Sequence, residues 1–239
     1  MSEASMRYLL TSLIVGACAV APSLPAAAQQ EPVAVAIDKA SYHWPVFKNE
    51  HVTVLRVLFP PGKGSNFHTH STDQFGVIID VGNNSNQLLG EEPTPPRPPT
   101  RGNVGYTAYS KKSMTHRSTN LGAIPFHNVV VSLNYPEPGR FTAGSRADVP
   151  AYIQVLDNER VRGWRLTLDP GQSVAAITQR APGLRVVVDG GEITESAPRE
   201  ADRGQALRSG DFYWQDGGVT RAVRNSGDSK IQIVEFELK

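Results

Sequence analysis

Apolar residues in this chain come in short runs punctuated by Gly, Pro and Asn. From Pro32 to Asn134 no segment keeps a helical period over three turns, so the pattern predicts strands. In His51–Phe59, Leu55, Val57 and Phe59 fall on one face and Arg56 on the other. Val77-Ile78-Ile79 reads as an apolar strand. Phe126–Asn134 reads as another, in which His127 shares the parity of Val129, Val131 and Leu133 and falls on the buried face. The segment after it, Pro136 to Pro150, is polar and rich in turn formers, and reads as a link.

Beyond that link the pattern repeats. Asn49-Glu50-x-Val52-x3-Arg56-x4-Pro61-Gly62 recurs as Asn158-Glu159-x-Val161-x3-Arg165-x4-Pro170-Gly171, an offset of 109. The offset still holds for Val77-Ile78-Ile79-Asp80-x-Gly82 against Val186-Val187-Val188-Asp189-x-Gly191. It then becomes 105, aligning Gly105, Asn120 and Gly122 with Gly210, Asn225 and Gly227. The chain reads as an all-β protein of two tandem units of one ancestry.

The candidate chemistry lies in the first unit. Pro61-Gly62 turns the chain, and His68-x-His70 follows, with Gln74 three residues on. If a strand starts at His68, alternation puts His68, His70, Thr72 and Gln74 on one face and Asp73 on the other. Two imidazoles on one strand face can ligate one cation, or can be two half-buried polar residues. A second stretch, Gly105 to Asn120, contains His116.

Together the two stretches resemble the paired motifs of the cupin superfamily. The first, Gly-x5-His-x-His-x3,4-Glu-x6-Gly, is met at Gly62, His68 and His70; Gln74 replaces the Glu and Gly82 comes one residue late. The second, Gly-x5-Pro-x-Gly-x2-His-x3-Asn, is met at Gly105, His116 and Asn120, with Lys111 and Ser113 in place of Pro and Gly. The resemblance implies two jelly-roll barrels, residues 29–136 and 151–239, joined by 137–150. It also implies one divalent transition ion (Fe, Mn, Ni, Cu or Zn) held by His68, His70 and His116, with Gln74 as a weak fourth ligand. Asp73 and His127 are the candidates to support these ligands from behind. The Pro-rich stretch Glu91–Gly102 cannot pair into a sheet. It is expected either as an inert surface loop or as a flap over the barrel mouth. His43 and His51 read as ordinary residues.

At the positions of His68, His70, Gln74 and His116 the second unit has Ile177, Gln179, Gly183 and Arg221, so it is expected to bind no metal. Arg221, with Gln179 and Trp214 nearby, could face an anionic ligand there or be a packed or surface residue. A three-His site suits a metal-dependent oxygenase acting on a small organic substrate. The alternatives are a non-catalytic metal- or ligand-binding protein and a cupin-type isomerase or lyase. Gln74 cannot take up a proton as a Glu would, which weakens proton abstraction.

Composition adds limits. The formal net charge is +1, which gives no reason to invoke nucleic acid. Arg7, the apolar run Tyr8–Ala21 and the Ala-x-Ala site ending at Ala28 describe a secretory signal over residues 1–28, and hence export to the periplasm. The run is short for a membrane span. Ile14–Cys18 also resembles a lipoprotein cleavage box, in which Cys18 would carry a lipid anchor. Cleavage after Ala28 would leave no cysteine, so any metal must use His and oxygen ligands.

Overall fold

The computed structural model describes residues Val33–Lys239; the signal-like segment and Cys18 lie outside them. Up to Leu133 the strands are β1 (Val35–Ala36), β2 (His43–Lys48), β3 (Val52–Phe59), β4 (His68–His70), β5 (Gln74–Val81), β6 (Asn84–Leu88), β7 (Val104–Thr107), β8 (Met114–Asn120) and β9 (Phe126–Leu133). After the link come β10 (Tyr152–Asp157), β11 (Val161–Leu168), β12 (Ser173–Thr178), β13 (Gly183–Asp189), β14 (Gly191–Ser196), β15 (Arg203–Leu207), β16 (Phe212–Gln215), β17 (Thr220–Asn225) and β18 (Ile231–Leu238). Among the described residues no helix is long and apolar enough to cross a membrane.

The first half forms a five-stranded sheet, β2-β3-β9-β5-β7, and a four-stranded sheet, β1-β4-β8-β6. The second half repeats the order as β10-β11-β18-β13-β16 and β12-β17-β14-β15. Two facing sheets per half is the jelly-roll arrangement. The repeat extends to register, since His68 pairs with His116 as Ile177 does with Arg221. Likewise Asn84 pairs with Asn120 as Ile193 does with Asn225.

Alternation explains where the cores sit. Leu55, Val57 and Phe59 of β3 point between the two sheets of the first half and pack with Phe126. The opposite face of the same sheet is not polar. Val52, Val54, Phe75, Val77, Val129, Val131 and Leu133 pack in one core with Leu184, Val186, Val234 and Phe236 of the second half. The two five-stranded sheets therefore cover each other, and Phe75 meets Phe236 at 4.7 Å between ring centroids. Strands buried on both faces read as continuous apolar runs, as Val77-Ile78-Ile79 and Val129-Val130-Val131 do.

Two details of the motifs follow from this frame. A bulge between Ile78 and Asp80 inserts a residue into β5, and this is why Gly82 comes one residue late; β13 has the same bulge between Val187 and Asp189. Asn120 is a turn organiser. Its Nδ2 donates to the carbonyls of Phe59 (3.0 Å) and Ile124 (2.8 Å), and its Oδ1 accepts from Gly122 N–H (2.9 Å). Asn225 makes the corresponding three bonds to Leu168, Ser229 and Gly227, which explains its retention in a half without the histidines.

Candidate metal centre

β4 and β8 are antiparallel neighbours with His68 opposite His116, and alternation places His70 on the same face as His68. Thr69, between them, turns outward and meets Thr115 Oγ1 at 2.8 Å. Three imidazoles thus converge between the sheets, with centroid separations of 4.6–4.9 Å. One nitrogen from each lies within 4.8 Å of the others.

Which nitrogens face the centre is set from behind. His68 Nδ1 lies 3.0 Å from the Asn66 carbonyl, which can only accept, so Nδ1 carries the proton and Nε2 is left as a lone pair. His70 Nδ1 is 2.7 Å from Gln74 Oε1, and Gln74 Nε2 donates to Ser132 Oγ at 2.9 Å, which fixes the amide's orientation. His70 Nε2 and His116 Nε2 lie 2.9 Å apart, while His68 Nε2 is buried with no hydrogen-bond partner. A buried acceptor without a donor is costly in an apolar enclosure. A cation at this point satisfies all three nitrogens, so the donor set fits a divalent transition ion.

Burial also fixes the protonation state. Desolvation lowers His70 to about 4, partly offset by the Gln74 hydrogen bond, and lowers His116 to about 3 with help from the neighbouring imidazoles. His68 is lowered by the same cause. All three are neutral near pH 7, which is the ligating form.

Gln74 corrects one expectation. Its amide oxygen is engaged by His70 Nδ1, so it orients a ligand and is not itself placed among the ligand atoms. Asp73 faces the other way, as its parity predicts. It accepts from Tyr106 Oη (2.9 Å) and Ser110 N–H (3.0 Å) and pairs with Arg160 of the second half at 3.1 Å. Burial would raise its pKa, but Ser110, Tyr106 and Arg160 together hold it below the usual carboxylate range. His127 is also no support to the cluster. Its ring points into the contact between the halves, against Gly210, with Nδ1 3.7 Å from Asp80.

One residue near the centre looks ordinary in the sequence. His43 on β2 is buried with its ring 4.6 Å from that of His68; its Nδ1 lies 2.9 Å from the Ser41 carbonyl. Desolvation lowers it to about 4. Its pairing opposite Val57 puts it on the inner face, but the irregularity between Pro45 and Phe47 breaks the alternation that would have revealed this. Tyr109 also reaches the site, with its ring 4.6 Å from that of His70.

The imidazoles open onto a cavity of about 750 Å³. Val57, Phe59, Ile78, Phe126 and Val130 form apolar walls, and Thr94, Pro95, Arg97, Pro98 and Pro99 form part of the rim. The Pro-rich excursion is therefore the flap of the two alternatives. It is pinned to β6, with Thr94 N–H donating to the Asn86 carbonyl (2.7 Å) and Arg97 N–H to the Asn84 carbonyl (2.9 Å).

No protein-family model and no curated protein matches the chain. Solved structures resemble it. AerE from Microcystis aeruginosa superposes with a TM-score of 0.57 at 13% identity, covering 84% of this chain and 98% of that one. Salicylate 1,2-dioxygenase from Pseudaminobacter salicylatoxidans gives 0.54 at 12%, over 79% and 71%. A cupin 2 conserved barrel domain protein from Leptotrichia buccalis gives 0.52 at 8%, over 82% and 88%. The fold is a cupin fold.

Within this cupin fold the second half is filled. Gly76 of β5 pairs across the sheet with Gly105 and Val130; the corresponding Arg185 pairs with Tyr213 and Glu235. Gly105 therefore corresponds to Tyr213, not to Gly210, and most of the length difference falls in the loop carrying Lys111 and Ser113. Arg185 bonds Glu235 (2.7 Å) and Glu195 (2.5 Å). Arg146, from the link, reaches in to pair with Glu235 and, at 3.3 Å, with Glu237. The space left around Arg146, Arg185 and Glu235 is about 20 Å³. Arg221 lies 3.9 Å from Glu195, so it faces a carboxylate and not an anion site. Trp214 is not beside it but stacks on Phe47 and His51, each 5.9 Å away.

Proposed function

We propose that this chain is an exported, metal-dependent oxygenase that acts on a small organic molecule in the cavity of its first half. The observation that carries this is the convergence of three neutral imidazoles, two with their outward nitrogens tied off by Asn66 and Gln74, on a largely apolar cavity. A divalent ion there would supply Lewis acidity and, for Fe, Mn or Cu, redox chemistry at open coordination positions. Asn66 and Gln74 hold His68 and His70 with Nε2 toward the centre, and Phe59 and Phe126 make part of the wall of the reacting space apolar. Likeness in fold to a salicylate dioxygenase supports an oxygenase at the level of architecture only, because one fold hosts many chemistries. The signal-like pattern over residues 1–28 supports export to the periplasm, with lipidation at Cys18 as the alternative.

One observation favours a second reading, a non-catalytic binding protein. No Asp or Glu lines the cavity, so an obvious general base is lacking. The same fact counts against a proton-abstracting isomerase or lyase. Elemental analysis of untagged protein should find about one equivalent of a divalent transition ion, lost in His116→Ala. Oxygen uptake with a panel of phenols and thiols then separates the readings. Uptake that follows metal content supports the oxygenase; a metal-loaded protein inert to the whole panel supports the binding protein.

A further inference from the structure

The cavity has a charge that its metal ligands do not account for. Of the side chains lining it, Arg97 alone carries a fixed charge, and no carboxylate lines the same space. Among the described residues the Arg97 guanidinium forms no ion pair, whereas Arg146 and Arg185, which line the small cavity of the second half, are each matched to glutamates. Guanidinium stays charged at any working pH and favours planar, two-oxygen anions. The backbone that carries it is held, because the N–H groups of Arg97 and the neighbouring Thr94 are bonded to β6. Two side-chain oxygens in the wall also lack partners. Asn84 and Asn128 line the cavity, and their Oδ1 atoms are buried without a hydrogen bond. These are acceptors awaiting a donor: Asn84, on β6, stands beside Arg97, Asn128 lies on β9 of the facing sheet, and Val57, Phe59, Phe126 and Val130 are among the apolar walls of the same cavity.

We propose that the cavity takes a hydroxylated carboxylate with an apolar body, its carboxylate anchored by Arg97 from the flap and its hydroxyl donating to Asn84 or Asn128. This rests on the first-half cavity being the substrate site, but not on the metal. Arg97 acts here as a specificity-determining residue: an ester of the same acid keeps the body and the hydroxyl and loses the charge. No acidic side chain of the cavity competes with the ligand for the guanidinium.

The test is isothermal titration of the full mature protein with para-hydroxybenzoate and mandelate, each beside its methyl ester. The acids should bind more tightly than the esters, and Arg97→Gln should weaken the acids by about tenfold while leaving the esters unchanged, as expected for a charge-assisted bond. Arg97→Lys should keep part of the preference. Equal affinity for acid and ester, acid affinity unchanged in Arg97→Gln, or no binding of either acid overturns the assignment. Repeating the titrations on chelator-treated protein separates the two readings. An Arg97-dependent preference that survives without metal supports the anchor even if elemental analysis finds no ion.

Discussion

Metal-free protein should lose stability steeply between pH 7.5 and 5.5, and the loss should come from the imidazoles. Burial holds His43 and His70 at about 4 and His116 at about 3, against 6.5 for an unburied histidine. Between those values the unfolded chain binds more protons than the folded one, so stability rises with pH and falls as pH drops through 6.5. The fall levels off only near the folded values. One unit below 6.5, each imidazole held neutral costs about 1.4 kcal/mol, and three cost about 4 kcal/mol. That is a large share of the roughly 5–15 kcal/mol that stabilises a domain. At about 2–4 °C per kcal/mol for a chain of this size, the melting temperature should drop by about 8–16 °C. Asp73 and Asp157 are held below the usual carboxylate range, so their stabilisation is lost only at lower pH and does not enter this window. Scanning calorimetry on chelator-treated protein reads the drop directly, and His70→Gln/His116→Gln should remove about two-thirds of it. A flat melting temperature in chelated wild type, or an undiminished fall in the double variant, would refute the argument.

Other outcomes follow from the same geometry. Gln74→Glu should bind metal about tenfold more tightly, because a carboxylate accepting from His70 Nδ1 makes Nε2 a stronger donor; chelator competition measures it, and the gain should fade as pH falls and the carboxylate protonates. At Gly105 an added Cβ meets nothing within 4 Å, so Gly105→Leu should fill the cavity, abolishing ligand binding while metal content and melting temperature stay near wild type. Asn120→Ala strands two carbonyls and one N–H and should cost about 3 kcal/mol by urea denaturation. A chain ending at Val149 keeps every ligand but uncovers Val52, Val54, Phe75, Val77, Ile79, Val129, Val131 and Leu133. At roughly 1.5–3 kcal/mol per side chain that exceeds the stability of a typical domain, so size-exclusion chromatography should show aggregate; a soluble, metal-loaded monomer would disprove the covering role.

Much of this was legible in the chain. Short alternating runs and the offset repeat predict strands in two like units, and parity puts His68 and His70 on one strand face. That His116 joins them is what the resemblance to the cupin motifs implies, and the pairing of β4 with β8 bears it out. What was not legible has physical causes. The pattern shows that Val54 and Val129 are apolar but not that they pack against another sheet instead of an interior. His43 was hidden by an irregularity that shifts parity within β2. Gly105 aligns with Gly210 as glycine with glycine, whereas only pairing shows that Tyr213 stands in its place. The role of Gln74 depends on which atom its oxygen reaches, a distance that spacing does not encode. Arg221 offered a charge without showing Glu195 opposite it.

The comparison of the two halves argues that the second is there for the first. Its interior replaces two glycines and a valine with Arg185, Tyr213 and Glu235, and its buried arginines and glutamates balance one another. Buried ion pairs of this kind do little for net stability, since desolvation offsets their attraction. They do close a space that would otherwise be hollow, and a filled sandwich is the stiffer support. That support reaches the site by two routes. One is the shared core beneath β5 and β9. The other is Arg160, which enters the first half to bond Asp73 and the Tyr135 and Pro136 carbonyls. Asp73 immediately precedes Gln74, the residue that orients His70. A hollow half with ligands aimed into it requires a backbone that does not yield when its cavity is empty, and the filled half supplies that backing at the strand carrying Gln74.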